Sequence, residues 1–404
     1  MKMVEIKKEN PVWDAILIHY GELALKGGNR RQFENRLLTN ITAAVDSIRA
    51  CSVRRLPGRI WIDFAESPIS ASVVDRLCRV FGVANLAPAM RVEPTLDNIR
   101  RAVTSLVQDD SFTSFAIRTR RGEKKFPMTS TDVNCDIGRL VEELTKARVD
   151  LDHPERTIDI ELMDQHAFIS SKKLRGPGGL PVGTAGKVAC LISGGIDSPV
   201  AAWRVMKRGC FPLYIHFHSG PFTSIASVEK VTDLVEQLSQ GLKGIQLVVV
   251  PFGAIQKEII TQGPEACRVL LYRRLMLRIA EAIAREEGCE ALVTGEVLSQ
   301  VASQTLSNLA AIEAVVTMPV LRPLLGMDKQ EIVDEAKRIG TFATACEPHD
   351  DCCSFLVPTH PATHIKIEEL DRIESKLDIT RLVQAGLEGK EVRDVQATFF
   401  FPGR

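Results

Sequence analysis

Cys190-Leu-Ile-Ser-Gly-Gly-Ile-Asp-Ser-Pro199 is the stretch on which the reading of this chain turns. An apolar run, Lys187–Ile192, leads into Ser193-Gly194-Gly195 and then directly into a helix beginning near Ser198. Paired glycines let a backbone approach an anion closely. The first turn of a helix presents unpaired N–H groups and the positive end of the helix dipole, so this turn is built to hold phosphate. Pro199 suits the first helical turn, where its missing N–H is not needed. No Gly-Lys-Ser/Thr follows, so the loop is not a Walker A loop.

Downstream of this loop, strands and helices alternate. Phe211–Phe217, Ile245–Val250 and Ala291–Thr294 read as apolar strands, and Val228–Leu238 and the long amphipathic Cys267–Glu287 as helices. That alternation predicts a parallel sheet covered on both faces. Upstream lies Arg175-Gly-Pro-Gly-Gly-Leu-Pro-Val-Gly183, whose glycines and prolines predict a linker over residues 175–186. Before it the pattern is α+β. Ala15–His19 and Ile60–Phe64 read as strands flanking the helix Arg31–Ala44, and a second strand–helix group begins near residue 90. The expected division is therefore 1–75, 76–174, a linker over 175–186, and 187–404.

The composition is that of a globular protein, 45% hydrophobic and 25% charged, with a formal net charge of zero. The charge is unevenly spread, with the first 180 residues mildly basic and the remainder mildly acidic. Any nucleic-acid partner is therefore expected on the N-terminal half. The start, MKMVEIKKENPVW, lacks the apolar core of a secretory signal, and no apolar run reaches the roughly 20 residues of a membrane span. Ten cysteines without a signal point to a reducing, cytoplasmic compartment. Cys190, Cys210 and Cys289 sit in apolar runs and are expected to be packing residues.

The Ser193–Ser198 loop resembles the SGGxDS loop of the PP-loop ATP pyrophosphatases, which cleave ATP between its α- and β-phosphates. Two further stretches make the resemblance closer. Val293-Thr-Gly-Glu-Val-Leu-Ser-Gln-Val-Ala-Ser-Gln304 and Leu321-Arg-Pro-Leu-Leu-Gly-Met-Asp-Lys-Gln-Glu331 are similar to segments of the tRNA 4-thiouridine synthetases. The resemblance implies ATP and Mg2+ as cofactors. Ser193, Gly194, Gly195 and Ser198 would hold the phosphates, and Asp197 would orient the magnesium. Adenosine would lie against Leu191, Ile192, His216, Phe217, Arg273, Gly295 and Gln304, with Lys329 near the reacting centre.

The basic run Arg118-Thr-Arg-Arg-Gly-Glu-Lys-Lys125 supplies Arg118, Arg120, Arg121, Lys124 and Lys125, a density of cations suited to a phosphate backbone. Together with Phe126-Pro-Met-Thr-Ser-Thr-Asp-Val-Asn134 it resembles a THUMP domain, a module of tRNA-modifying enzymes. Tyr20-Gly-Glu-Leu-Ala-Leu-Lys-Gly-Gly-Asn-Arg30 resembles the start of the ferredoxin-like domain of the same synthetases, with Gly28 where they commonly carry lysine. The implied partner is tRNA, read by shape and backbone at the acceptor-stem end.

Sulfur transfer needs a thiolate that can carry a persulfide. Cys346-Glu-Pro-His-Asp-Asp-Cys-Cys353 is the candidate, and its Asp-Cys-Cys element resembles that of shorter family members, which implies Cys352 as the essential thiol. Cys346, Cys353 and Cys267 are the candidates for a resolving cysteine. Zinc is disfavoured because adjacent cysteines seldom both ligate one tetrahedral ion and no Cys-x-x-Cys occurs. An iron–sulfur cluster is the disfavoured alternative, since Cys267 stands alone where some members carry a Cys-x-x-Cys. Only residues 354–404 follow Cys353, too few for an appended rhodanese domain, so sulfur is expected from a separate protein such as a cysteine desulfurase, or as free sulfide. The expected activity is ATP-dependent thiolation of a tRNA uridine at position 8. Some family members also feed sulfur into thiamine thiazole synthesis, and a homodimer is left open. The competing readings are a PP-loop ligase acting on a small molecule and a tRNA-binding protein without catalysis.

Overall fold

The computed structural model describes residues 13–25, 27–45, 51–64, 69–108, 110–122, 126–220, 226–348 and 361–396. The chain divides into two compact units, Met1–Pro181 and Val182–Arg404.

In the first unit the strands are β1 (Ala15–His19), β2 (Cys51–Leu56), β3 (Arg59–Phe64), β4 (Asn85–Val92), β5 (Ser114–Arg121), β6 (Arg148–Val149), β7 (Arg156–Leu162), β8 (Ala167–Ser170) and β9 (Leu174–Arg175). They form one sheet in the order β2-β3-β1-β4-β8-β7-β5-β6, with β9 added beside β4. The helices are α1 (Arg30–Val45), α2 (Ala71–Leu77), α3 (Leu96–Val107) and α4 (Ser130–Thr145). Side chains alternate across each strand. On β1, Ala15 and Leu17 therefore join Trp61, Ala89 and Phe168 in one apolar cluster. Phe115 and Ile117 of β5 and Ile158 and Ile160 of β7 pack with α3 and α4 in another.

β4 is shared between the two N-terminal modules. Its residues 85–89 pair with β1, and Met90, Arg91 and Val92 pair with β8. A boundary at 75/76 falls inside α2, whose Val73, Val74 and Leu77 are buried. The handover lies instead within β4, because one continuous strand serves both modules of the sheet without a loop that sequence could announce. The 175–186 stretch also differs from a free linker. Gly176 N donates to Ala84 O (3.0 Å) and Gly178 N to Val83 O (2.8 Å), while Gly183 N donates to Gly209 O (2.8 Å). A Cβ at Gly176 would lie 2.3 Å from Val83 O, so only glycine permits that seam.

The second unit contains β10 (Lys187–Leu191), β11 (Phe211–His218), β12 (Ile245–Pro251), β13 (Ala291–Val293), β14 (Val320–Leu321) and β15 (Glu391–Val395). Its helices are α5 (Asp197–Lys207), α6 (Ala226–Leu238), α7 (Gly253–Gln262), α8 (Arg268–Glu286), α9 (Leu306–Glu313), α10 (Lys329–Ile339), α11 (Phe342–Ala345), α12 (Ile367–Glu374) and α13 (Ile379–Glu388). The strand order is β14-β13-β10-β11-β12-β15, parallel except for the antiparallel edge strand β15. Ala189, Leu213, Ile215 and Phe217 face the apolar side of α8, the centre of the larger core. Tyr214 alternates to the other face, where its hydroxyl lies 3.5 Å from Met206 Sδ of α5.

The strand sequence reverses direction at β10. β11 and β12 lie on one side of it, and β13 and β14 on the other. The carboxyl ends of β10 and β13 thus flank a topological switch point, where an open α/β sheet has its ligand crevice. No helix among the described residues is long and apolar enough to cross a membrane.

Candidate nucleotide-activating site

The turn after β10 is held by its own serines. Ser193 N donates to Ser198 Oγ (2.9 Å), and Gly195 N donates to Ser193 Oγ (3.3 Å). These bonds fold residues 193–198 into a compact loop over the start of α5, whose first helical residue is Asp197. The first-turn N–H groups of α5 have no intrahelical acceptors, so they are available to an anion.

The loop after β13 comes down on the same helix start. A Cβ at Gly295 would lie 2.7 Å from Ser198 N and 2.8 Å from its Cα. Only a glycine allows that approach without displacement. Five residues on, Gln300 Nε2 donates to Asp197 Oδ2 (3.0 Å). Lys329 Nζ, at the first position of α10, lies 2.5 Å from Asp197 Oδ1. Both Asp197 oxygens are therefore occupied, one by an amide and one by an ammonium. Asp328 and Glu331 form a capping box that fixes the start of α10 and with it Lys329.

Other expected site residues divide in two. Ile192 and His216 are buried and adjacent at the carboxyl ends of β10 and β11, with His216 Nδ1 2.9 Å from Ile192 O. Leu191 is half-buried at the end of β10, and Gln304 is buried in the short 3-10 turn that closes the β13 loop. Phe217, expected against adenosine, is instead a core residue. It is edge-on to Phe252 with ring centroids 5.5 Å apart, because strand alternation turns it away from the His216 face. Arg273 pairs with Glu296 Oε1 at 2.6 Å, so its charge is engaged within the site. Glu296, Gln300 and Arg322 lie beside the expected residues without being among them, although all three belong to the two family-like stretches after β13 and β14. That resemblance is the signal that could have found them; their partners come from distant elements, which the sequence does not show.

In the first unit the basic run splits. Arg118 and Arg120 are both exposed and two residues apart on β5, so they share a face. Arg121 points the other way and donates to Phe126 O (3.0 Å). This corrects its expected grouping with the other two. Lys124 and Lys125 lie outside the described residues. The Tyr20–Arg30 stretch is organised by Glu34, which accepts from Tyr20 Oη (2.5 Å) and from Arg30 Nε (2.8 Å). Arg30, Arg31 and Arg55 line an open groove of about 660 Å³ beside Gly28 and Gly58.

Cys352 and Cys353 lie outside the described residues, but the chain on either side of them is anchored. Lys230, buried on α6, donates to Ala345 O (2.9 Å) and Glu347 O (2.7 Å). Downstream, Asn308 Nδ2 donates to Ala362 O (2.9 Å), and Ala362 N donates to Ala266 O (2.9 Å), next to Cys267. Cys346 is exposed at the end of α11. Cys267 is buried, and its thiol is pushed up by burial and then by the charge of Glu369. Cys190, Cys210 and Cys289 are buried packing residues whose thiols are also pushed up by burial, Cys289 to about 11. Among the described residues no three metal-ligating side chains are grouped.

Comparison with known proteins matches residues 183–379 to the family described as thiamine biosynthesis protein (ThiI). Residues 15–87 match the ThiI ferredoxin-like domain, and 93–172 match the THUMP domain. A protein of Moorella thermoacetica named "Probable tRNA sulfurtransferase" is 42% identical over 95% of this chain and 98% of its own length. One of the same name from Thermus thermophilus is 41% identical over 95% and 94%. The crystal structure of a 4-thiouridine synthetase–RNA complex with bound ATP superposes with a TM-score of 0.87 at 34% identity. It covers 95% of this chain and all of that one.

Proposed function

We infer the activity from membership: this chain belongs to the ThiI family, and it is an ATP-dependent tRNA sulfurtransferase. The product we propose is 4-thiouridine at position 8 of tRNA, formed by replacing O4 of the uracil with sulfur. The observation that carries this reading is the convergence of Ser193–Ser198, Gln300 and Lys329 on Asp197, at the switch point of a parallel sheet.

In the proposed reaction, O4 of the uridine attacks the α-phosphate of ATP and pyrophosphate leaves. The Ser193–Ser198 turn and the start of α5 hold the departing pyrophosphate, and Lys329 offsets the charge that develops on it. Magnesium fits the donor set, because Asp197 supplies a carboxylate and the phosphates supply the remaining oxygens. When bound it neutralises phosphate charge. The first transfer then needs a sulfur nucleophile. A persulfide on Cys352 attacks C4 and AMP departs, leaving the base joined to Cys352 through two sulfurs. A second thiolate then attacks Cys352 Sγ, releasing the thiolated base and leaving a disulfide that an external dithiol reduces.

The exposure of Cys346, six residues before Cys352 in the same stretch, supports a resolving role for it better than for buried Cys267. The persulfide donor is proposed to be a separate cysteine desulfurase. Arg118, Arg120, Lys124 and Lys125 are proposed to hold the tRNA backbone, as is the arginine groove at Arg30, Arg31 and Arg55. Leu191, Ile192, His216 and Gln304 remain the proposed adenosine wall. A cytoplasmic location is part of the proposal, as it suits a tRNA substrate. A contribution to thiazole synthesis is part of the same proposal, because the persulfide chemistry is common to both.

The deciding experiment incubates the purified protein with unmodified tRNA, ATP, magnesium and a desulfurase with cysteine, then digests the tRNA. Position 8 should carry 4-thiouridine only when ATP is present. Pyrophosphate release without tRNA, driven by a small acceptor, would instead favour a PP-loop ligase.

A further inference from the structure

One carboxylate in the second unit is engaged by more elements than any step of the reaction requires. Glu296 is 5% exposed and lies in the loop leaving β13, between Gly295 and Gln300. Its Oε1 is 2.6 Å from Arg273 Nη1 of α8. Its Oε2 accepts from Arg322 Nε, just past β14, at 2.7 Å and from Thr294 Oγ1 at 3.0 Å. Arg322 is in turn paired with Glu313 of α9. Burial pushes the Glu296 carboxyl up, but the charges of Arg273 and Arg322 and the hydrogen bonds outweigh it, so the group is held below the usual carboxylate range and stays ionised.

A buried ion pair adds little net stability compared with apolar packing, because desolvation offsets the attraction. Its consequence here is geometric. The carboxylate fixes the loop at one point, and the two active segments of that loop lie on either side. Gly295 packs on Ser198 N at the start of α5, and Gln300 reaches Asp197. Leu298 N, between them, is tied to Leu325 O (3.2 Å). A shift of the loop would open the gap over the phosphate turn and withdraw the amide from Asp197 together.

We propose that Glu296 is a positioning residue for ATP activation, clamping the β13 loop through Arg273 and Arg322 so that Gly295 and Gln300 are held against the phosphate turn. This rests on the adenylation reading above. It also gives Arg273 a role that does not require contact with adenosine.

The test uses Glu296→Gln in the full chain, with tRNA-dependent pyrophosphate release measured against ATP concentration. The expected result is a rise of tenfold or more in KM for ATP, with tRNA affinity unchanged. The double variant with Gln300→Ala should lose no more than the worse single variant, since both act through one loop. A folded Glu296→Gln protein with wild-type KM and kcat, whatever its thermal stability, overturns the proposal. Fully additive losses do the same. If Glu296→Gln does not fold, Arg322→Lys retains the charge but not the planar fork, and its KM should rise at least threefold; an unchanged KM is again the overturning result. Equilibrium binding of a fluorescent ATP analogue to wild-type and variant needs no tRNA. It therefore reads the clamp even if wild-type protein shows no tRNA-dependent turnover, a result that would defeat the adenylation reading alone.

Discussion

Lys329 Nζ lies 2.5 Å from Asp197 Oδ1, joining residues 132 positions apart at the mouth of the phosphate turn. The lysine side chain is half exposed, and an exposed pair of this kind contributes only about 0–1 kcal/mol to stability. Its significance is therefore chemical. The ammonium shares the carboxylate with the Gln300 amide and offsets its negative charge beside the phosphate turn.

Asp197→Asn should abolish tRNA-dependent pyrophosphate release while leaving tRNA affinity within about twofold of wild type. Lys329→Ala should lower kcat by roughly one to three orders of magnitude, as expected for losing a charge that acts in the transition state. Both are checked by pyrophosphate assay beside tRNA binding. Loss of tRNA affinity equal to the loss of turnover would contradict the assignment.

The basic run should behave unevenly. Neutralising Arg118 and Arg120 should weaken tRNA binding, and each phosphate interaction removed should flatten the log–log salt slope by about 0.7–0.9. Arg121→Gln should leave that slope unchanged and lower thermal stability instead, because Arg121 donates to Phe126 O. Binding titrations at several salt concentrations separate the two.

Gly295→Ala places a methyl group 2.7 Å from Ser198 N. Overpacking of that kind costs about 1–3 kcal/mol. The strain falls on the phosphate turn, so KM for ATP should rise at least tenfold while tRNA affinity is retained. A variant with unaltered ATP kinetics would show that the loop can retreat without consequence.

Cys352→Ser should block thiolation from a desulfurase yet spare formation of the adenylated tRNA, which needs no thiol. Cys346→Ser should permit about one turnover per enzyme and then stall, whereas Cys267→Ser should be mild. Assays with desulfurase and with free sulfide, together with iron content, distinguish this route from a cluster. Full desulfurase-dependent activity in Cys352→Ser would refute the role of that thiol.

Acid should loosen the second unit through Glu296. Its carboxyl is held below the unfolded value of 4.5, so the stability it contributes is complete above that value and is lost as pH falls through the lower folded one. Thermal melting between pH 6 and pH 3 should therefore show a steeper decline in wild type than in Glu296→Gln. Parallel curves would show that the carboxylate does not titrate with folding.

The phosphate turn is legible in the sequence because its chemistry is local. A strand, two glycines, an aspartate and a helix start lie within ten residues, and each acts on its immediate neighbours. The alternation after residue 187 likewise announces a parallel sheet, and the strands found at 187–191, 211–218, 245–251 and 291–293 follow it closely. The antiparallel edge strand at 391–395 is not announced, since it is polar along most of its length and its place is set by pairing with β12.

What the sequence by itself determined is therefore the set of chemical parts: the phosphate-binding turn, the basic strand, the clustered cysteines and the family they jointly resemble. Only the tertiary structure decided which parts meet. Gln300 and Lys329 reach Asp197 from 103 and 132 residues away because the strand order turns back at β10, bringing the ends of β13 and β14 to the same side of the sheet. Strand pleat sent Arg121 and Phe217 away from the faces their neighbours occupy, and a carboxylate buried between two arginines drew Arg273 onto the loop. Side-chain direction and long-range pairing depend on topology, and topology is a property of the whole sheet rather than of any ten residues within it.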